Sequence, residues 1–228
     1  GKGVTEKDVR SEVEVIAGTP GLKGVINAYV IDDGWEKGLG TWNPNNKFPD
    51  MVGTAQVIRE AGMKPGIWMA PFMVDISAAV CREHPEWLIK DEKGKNLVVS
   101  IPQIQPTEQL VPLAREPHGI DISIPEAREY VYKEMISLWK MGFDVFKLDY
   151  LSVIFSSGLK NKDKTTVKYY RDFVSEVRQR IDGLAAQQGR RKVEFIACGA
   201  PMLESIGLFE GIRVSADSAL PSFGPEID

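Results

Sequence analysis

Short apolar segments alternate with amphipathic ones along most of the chain, and this alternation constrains the fold more than any other feature. The apolar segments are rich in Val, Ile, Leu and Phe, which is typical of buried strands. Strands that alternate with helices need crossover connections, so the pattern predicts a parallel sheet. We predict strands at residues 24–31, 64–70, 143–151, 193–197 and 212–216, and helices near residues 5–17, 51–61 and 165–182, with another from residue 125.

The predicted strands end in residues that a plain core strand would not carry. These ends are Asp32-Asp33-Gly34-Trp35, Trp68-Met69-Ala70-Pro71, Asp149-Tyr150, Cys198-Gly199-Ala200-Pro201 and Asp217-Ser218. Function at the carboxyl ends of all strands is typical of a (β/α)8 TIM barrel, whereas a doubly wound sheet concentrates function at its switch point. Because five strands are fewer than a barrel's eight, we predict an α/β barrel that is incomplete, with about strands 2 to 6 present.

We expect residues 1–228 to form one partial catalytic barrel domain. Within it, residues 72–123 carry five prolines and should hold little regular structure. A loop of that length inside a compact domain is usually functional. Exposed edges of a five-stranded sheet favour association, so we also expect a homo-oligomer or a longer parent chain.

Composition limits the classes of partner. The chain is 43% hydrophobic and 26% charged, with a formal net charge of −4, and its basic residues are dispersed among acids, so no nucleic-acid surface is predicted. The sequence has no apolar stretch near the ~20 residues of a membrane span, and it does not begin with a signal peptide, which favours a cytoplasmic location. Its two cysteines, Cys81 and Cys198, fit no metal-ligand spacing.

Two predicted strands carry charged side chains where a core strand would be apolar. Strand side chains alternate, so Lys147 and Asp149 share one face of their strand, and Arg213 and Asp217 share one face of the last. Buried charges are costly unless paired, and an active site at the strand ends would explain them. Two strand-end carboxylates are what a two-carboxylate glycoside hydrolase needs.

Six motifs occur together in one order along the chain. They are Asp32-Asp33-Gly34-Trp35, Lys64-Pro65-Gly66-Ile67-Trp68-Met69-Ala70-Pro71, His84-Pro85-Glu86-Trp87, Phe146-Lys147-Leu148-Asp149, Cys198-Gly199-Ala200-Pro201 and Ile212-Arg213-Val214-Ser215-Ala216-Asp217. In this order the chain resembles the melibiase-like α-galactosidases of glycoside hydrolase family 36. The resemblance implies a (β/α)8 catalytic barrel, retention of anomeric configuration and α-galactoside oligosaccharides as substrates, with no metal and no organic cofactor.

The resemblance also implies a role for each site residue. Asp149 would be the nucleophile and Asp217 the general acid/base. The remaining members would bind the sugar: Asp32 and Asp33 at its distal hydroxyls, Trp68 against its ring, Lys147 and Arg213 at other hydroxyls, and Cys198 at the pocket floor. An arginine close to the acid would lower the pKa of that acid, so we predict that Arg213 points at substrate rather than directly at Asp217.

Several alternatives remain open from the sequence. Within the class, the chain could act on another α-glycoside or transfer the sugar to an acceptor, as raffinose-synthase-like relatives do. In another class, the chain could be a barrel lyase or isomerase that uses Lys147 as a Schiff-base amine. It could also be an inactive barrel fragment that binds sugar without cleaving it. Three of these residues could instead have purely structural roles. Asp149 could form an ion pair with Lys147, Asp217 could cap a turn, and Cys198 could be a small buried apolar side chain.

Overall fold

The computed structural model describes residues 3–99 and 116–214 and contains one central parallel sheet. The strands of the described ranges are β1 (Ala28–Ile31), β2 (Glu36–Gly38), β3 (Thr41–Pro44), β4 (Lys64–Met69), β5 (Met73–Asp75), β6 (Pro117–Gly119), β7 (Val145–Leu148), β8 (Glu194–Cys198) and β9 (Gly211–Arg213). The helices are α1 (Glu6–Gly18), α2 (Met51–Glu60), α3 (Ala79–Glu83), α4 (Pro125–Lys140) and α5 (Thr166–Gln187), with 3-10 turns at Pro85–Trp87 and Leu151–Phe155.

The central sheet has the order β1-β4-β7-β8-β9, and every neighbouring pair is parallel. Strands that follow one another along the chain therefore lie side by side, without the reversal of order that defines a doubly wound sheet. The parallel α/β architecture is confirmed, and each of the five predicted strands contributes to it. That the sheet is part of an eight-stranded barrel stays a prediction.

Local sequence signals fix the helix starts. Thr5 forms a capping box at α1, in which the Asp8 N–H donates to Thr5 Oγ1 (3.3 Å) and the Thr5 N–H donates to Asp8 Oδ2 (2.8 Å). Pro125 opens α4 at its first position, where a missing N–H costs nothing. Helix α5 continues to Gln187, past the predicted end at residue 182, because Gly183 is tolerated and the buried Ala185 extends the apolar stripe.

Two sequence expectations need correction. The first strand begins at Ala28 rather than residue 24, since residues 20–25 form turns with Gly21 and Gly24 in the left-handed region (φ 90° and 82°). The region expected to be irregular contains α3 and an antiparallel pair, β5 with β6, in its described part. Strands of three residues are too short to show a period-2 pattern, so the sequence did not reveal them.

The two faces of the central sheet differ in chemistry. One face packs under the helices through fully buried apolar side chains, among them Ile67, Phe146, Leu148 and Phe195. The opposite face, offset by one residue along each strand, carries polar and charged groups near the strand ends. A surface rich in charge at the carboxyl edge of a parallel sheet is where barrel enzymes bind their ligands.

Candidate active site

The strand-end residues predicted from the sequence converge on one face. Trp68 pairs in register with Lys147, and Cys198 pairs with Arg213. Asp32 and Asp149 directly follow β1 and β7 and continue that face. Asp33 is offset by one residue, and its backbone N–H donates to Asp32 Oδ1 at 2.8 Å. Asp217 lies outside the described residues, so its role stays a prediction.

Asp149 accepts hydrogen bonds at both carboxylate oxygens. The indole Nε1–H of Trp68 donates to Oδ2 at 3.0 Å, and the backbone N–H of Tyr150 donates to Oδ1 at 2.7 Å. The Cys198 thiol lies beside this carboxylate and interacts with it. The Asp149 N–H donates to the Met69 carbonyl at 2.8 Å, which anchors its backbone to the end of β4. These contacts fix the orientation of the carboxylate.

Two left-handed residues shape the chain around Asp149. Tyr150 has φ 53° and ψ 34° and is the one non-glycine with positive φ in the described ranges. Such a conformation costs a non-glycine residue roughly 1–2 kcal/mol. Gly199 (φ 55°) lies opposite, and a Cβ built there would be 3.4 Å from Asp149 Oδ1 and from the Tyr150 nitrogen. Sequence reasoning did not single out either residue, although a Gly after Cys198 at a strand end was a usable signal.

Lys147 pairs with Asp32 rather than with Asp149. Its Nζ is 2.7 Å from Asp32 Oδ2, and the two side chains are 20% and 50% exposed. The alternative that Asp149 forms a structural ion pair with Lys147 is therefore wrong. Burial alone would raise the pKa of Asp32, but hydrogen bonds from Lys147 Nζ and the Asp33 N–H, with the lysine charge, outweigh it and lower that pKa.

Trp68 belongs to a buried tryptophan cluster. It is 2% exposed, its ring lies 6.1 Å from that of Trp42, and its carbonyl accepts a hydrogen bond from Trp35 Nε1 at 3.0 Å. Trp35 and Trp42 are buried too, and both pack in this cluster. A ring this enclosed offers little flat surface to a sugar, and the geometry favours Trp68 as the donor that orients Asp149.

Cys198 and Arg213 complete the described part of the face. Cys198 is fully buried, and its burial, followed by its interaction with the Asp149 carboxylate, raises the pKa of the thiol to about 11. A thiol with that pKa stays protonated near neutrality and is a poor nucleophile. Arg213 is half-buried at the end of β9, and its charge opposes the rise in the Cys198 pKa.

Comparison with known proteins places this geometry in a family. The family model for Melibiase matches residues 10–205, most of the chain, so the chain belongs to the Melibiase family. The α-galactosidase of Escherichia coli is 27% identical over 188 residues, covering 75% of this chain and 24% of that protein. The α-galactosidase AgaA of Geobacillus stearothermophilus is 34% identical over 73 residues, covering 28% of this chain and 10% of that protein.

A solved structure shows the same likeness in three dimensions. The α-galactosidase TtGalA of Thermus thermophilus, in complex with p-nitrophenyl α-D-galactopyranoside, has a TM-score of 0.75 and 26% sequence identity. The match covers 95% of this chain and 39% of that one. The chain therefore spans about a quarter of the E. coli relative and about two fifths of the Thermus chain.

The described residues include no helix that is both long and apolar enough to span a membrane.

Proposed function

We propose that the chain carries the catalytic face of a retaining exo-α-galactosidase that removes terminal α-galactose. The observation that carries the proposal is Asp149, a half-buried carboxylate at the end of β7 whose two oxygens accept hydrogen bonds from Trp68 and Tyr150. A fixed carboxylate at a strand end suits attack on one carbon of a bound sugar. Membership of the Melibiase family supports α-galactoside as the sugar class.

The reaction proceeds in two displacements. An Asp149 oxygen forms a bond to the anomeric carbon while the glycosidic C–O bond breaks, and Asp217 gives its proton to the departing oxygen. Asp217, now a carboxylate, takes a proton from water, and the water oxygen displaces Asp149 from the anomeric carbon. Retention requires the two carboxyl groups to lie roughly 5–5.5 Å apart.

The other residues bind and orient the sugar. Asp32 is half exposed and holds Lys147, so together they offer an acceptor and a donor to vicinal hydroxyls. Asp33 supplies a further acceptor beside them, Arg213 contacts hydroxyls from β9, and Cys198 forms the floor under the anomeric carbon. Trp68 acts through Asp149, which it positions by its indole hydrogen bond. The alternative in which Lys147 forms a Schiff base is less favoured, because the Lys147 ammonium donates a hydrogen bond to the Asp32 carboxylate.

Relatives whose structures were solved with oligosaccharides support oligosaccharides as the substrate class. TtGalA was solved with stachyose, and an AgaA variant from Geobacillus stearothermophilus was solved with raffinose. Transfer of the galactosyl group to a sugar acceptor uses the same intermediate and is the alternative within the class. The chain covers only part of the length of these relatives.

The test is release of nitrophenol from p-nitrophenyl α-galactoside. We expect the unsubstituted 228-residue chain to release nitrophenol and the Asp149→Ala variant not to release it. Glu60→Gln, a change on the exposed side of α2, should leave the rate of release unchanged. Circular dichroism checks that all three are folded. Added azide should restore release in Asp149→Ala by forming the β-galactosyl azide, because azide fills the space of the missing nucleophile. Full activity in a folded Asp149→Ala protein would contradict the proposal.

A further inference from the structure

One cavity lies beside the β2–β3 hairpin, and its lining is separate from the strand-end residues around Asp149. Its volume is about 250 Å³, and its lining includes Thr41, Asn43, Glu83, Trp87, Tyr130 and Glu134. We infer that this cavity is a carbohydrate-binding site separate from the candidate active site. None of its lining residues belongs to the strand-end cluster around Asp149.

Aromatic rings form one side of the cavity and are held in place. The His84 ring stacks on Trp87 with a centroid distance of 3.8 Å and an interplanar angle of 4°. Tyr130 lies 6.1 Å from Trp87, and its hydroxyl donates to the Gly40 carbonyl at 2.5 Å, which ties α4 to the hairpin. Rigid aromatic rings provide apolar contact for the C–H face of a sugar at little entropic cost.

Two carboxyl groups, those of Glu83 and Glu134, line the same cavity as the rings. Within the described ranges, Glu83 and Glu134 form no hydrogen bond and no salt bridge, and no Lys or Arg lines the cavity. Burial raises the pKa of Glu134, because nothing nearby compensates its charge. A half-buried acceptor of this kind gains most from a ligand that brings hydroxyl donors, and the acidic lining disfavours phosphorylated or other anionic ligands.

Neutral polar groups on the hairpin decide between a sugar and an organic cation. Thr41 and Asn43 flank Trp42 on β3, so alternation turns them away from the Trp68 cluster and toward the cavity. Their hydroxyl and amide groups can both donate and accept. A polyol uses donors and acceptors together, whereas a cation would leave the donors without partners. The choice of an α-galactoside as the sugar rests on the proposed function.

Indole N–H signals in NMR can separate the two sites. Raffinose is titrated into the Asp149→Asn chain, which prevents turnover, with Trp87 reporting on the cavity and Trp68 on the candidate active site. We expect a saturable shift at Trp87. Glu134→Leu should weaken that binding by roughly tenfold to hundredfold, the effect of losing a hydrogen bond to a charged group. Glu134→Gln keeps shape and acceptor, and should stay within about threefold.

The two proposals fail in different ways. A saturable shift at Trp68 with none at Trp87 would overturn the cavity site and leave the proposed function intact. A shift at Trp87 alone supports the cavity site and counts against sugar binding at the Asp149 face. Free arginine serves as a test cation: a shift of the Trp87 signal with arginine but not with raffinose would overturn the carbohydrate assignment. A Glu134→Leu protein that binds raffinose as tightly as the Asp149→Asn chain would overturn it as well.

Discussion

Asp149 receives hydrogen bonds from the indole of Trp68, within β4, and from the main chain at Tyr150, and the thiol of Cys198 at the end of β8 lies beside the same carboxylate. Parallel strands place these ends at one edge of the sheet, although the residues are far apart in sequence. A carboxylate held from several sides loses little freedom when it reacts, which is the advantage that preorganisation gives a nucleophile.

Trp68→Phe tests the role of the indole donor. The ring still packs near Trp42, but the N–H to Asp149 is lost. A hydrogen bond to a charged group contributes about 1.5–3 kcal/mol, so kcat should fall roughly tenfold to hundredfold with KM little changed. Trp139→Phe is the matched control, because the buried Trp139 N–H has no hydrogen-bond partner in the described structure. A rise in KM with kcat intact would instead indicate direct sugar contact by Trp68.

Asp32 makes part of the stability depend on pH. Its pKa is lowered in the folded chain, so its contribution is present above the unfolded value of about 4 and is lost as pH falls through the folded value. Urea unfolding at pH 6 and at pH 3 should therefore show parent and Asp32→Asn proteins converging at the lower pH. The effect should be small, since Asp32 is half exposed. A stability difference that does not change with pH would contradict this reading.

At the scale of elements, the sequence predicts strands better than their connections. Runs such as residues 64–70 and 143–151 gave strands in the right places, and alternation put Trp68, Lys147 and Asp149 on one face. The Lys147–Asp32 pair and the Trp68–Asp149 bond were not predictable, because each joins side chains from strands far apart in the chain. Sequence spacing within one strand identifies its face, whereas side-chain partners depend on the tertiary fold.

Two glycine substitutions test whether the turn after β8 requires a residue in the left-handed conformation, with a helical glycine in α5 for comparison. Gly199→Ala must adopt φ 55°, so we expect about 1–2 kcal/mol of destabilisation, together with lower kcat because Asp149 lies against this turn. Gly183→Ala, on the exposed side of α5 near its C-terminal end, has open space and should stabilise by about 0.5–1 kcal/mol. Denaturant titration of both variants gives the comparison. A Gly199→Ala protein as stable as its parent would contradict the left-handed turn.

At the scale of the whole molecule, the described residues include exposed apolar side chains. Exposed apolar side chains cluster in the segment around β9: Met202, Leu203, Ile206, Ile212 and Val214. Apolar surface next to a strand at the sheet edge favours association with further chain or with another molecule. The predicted cytoplasmic location and the predicted assembly both stay predictions.

Light scattering tests the assembly. We expect the 228-residue chain to be larger than a monomer at micromolar concentration, and Leu203→Ser with Ile206→Ser to shift it toward the monomer, because both side chains are well exposed. Lys168→Ala is a control on an exposed part of α5. A parent chain that is monomeric and melts cooperatively would contradict the expectation of exposed edges that associate.

The central claim is that Asp149 is the nucleophile, and trapping the covalent intermediate tests it most directly. A fluorinated α-galactoside with a good leaving group slows the second displacement, so the galactosyl ester accumulates. Peptide mass spectrometry after digestion should then find one added fluorogalactosyl group on Asp149 in the parent chain and none in Asp149→Ala. A label on another carboxylate, or turnover of p-nitrophenyl α-galactoside without any label on Asp149, would contradict the account.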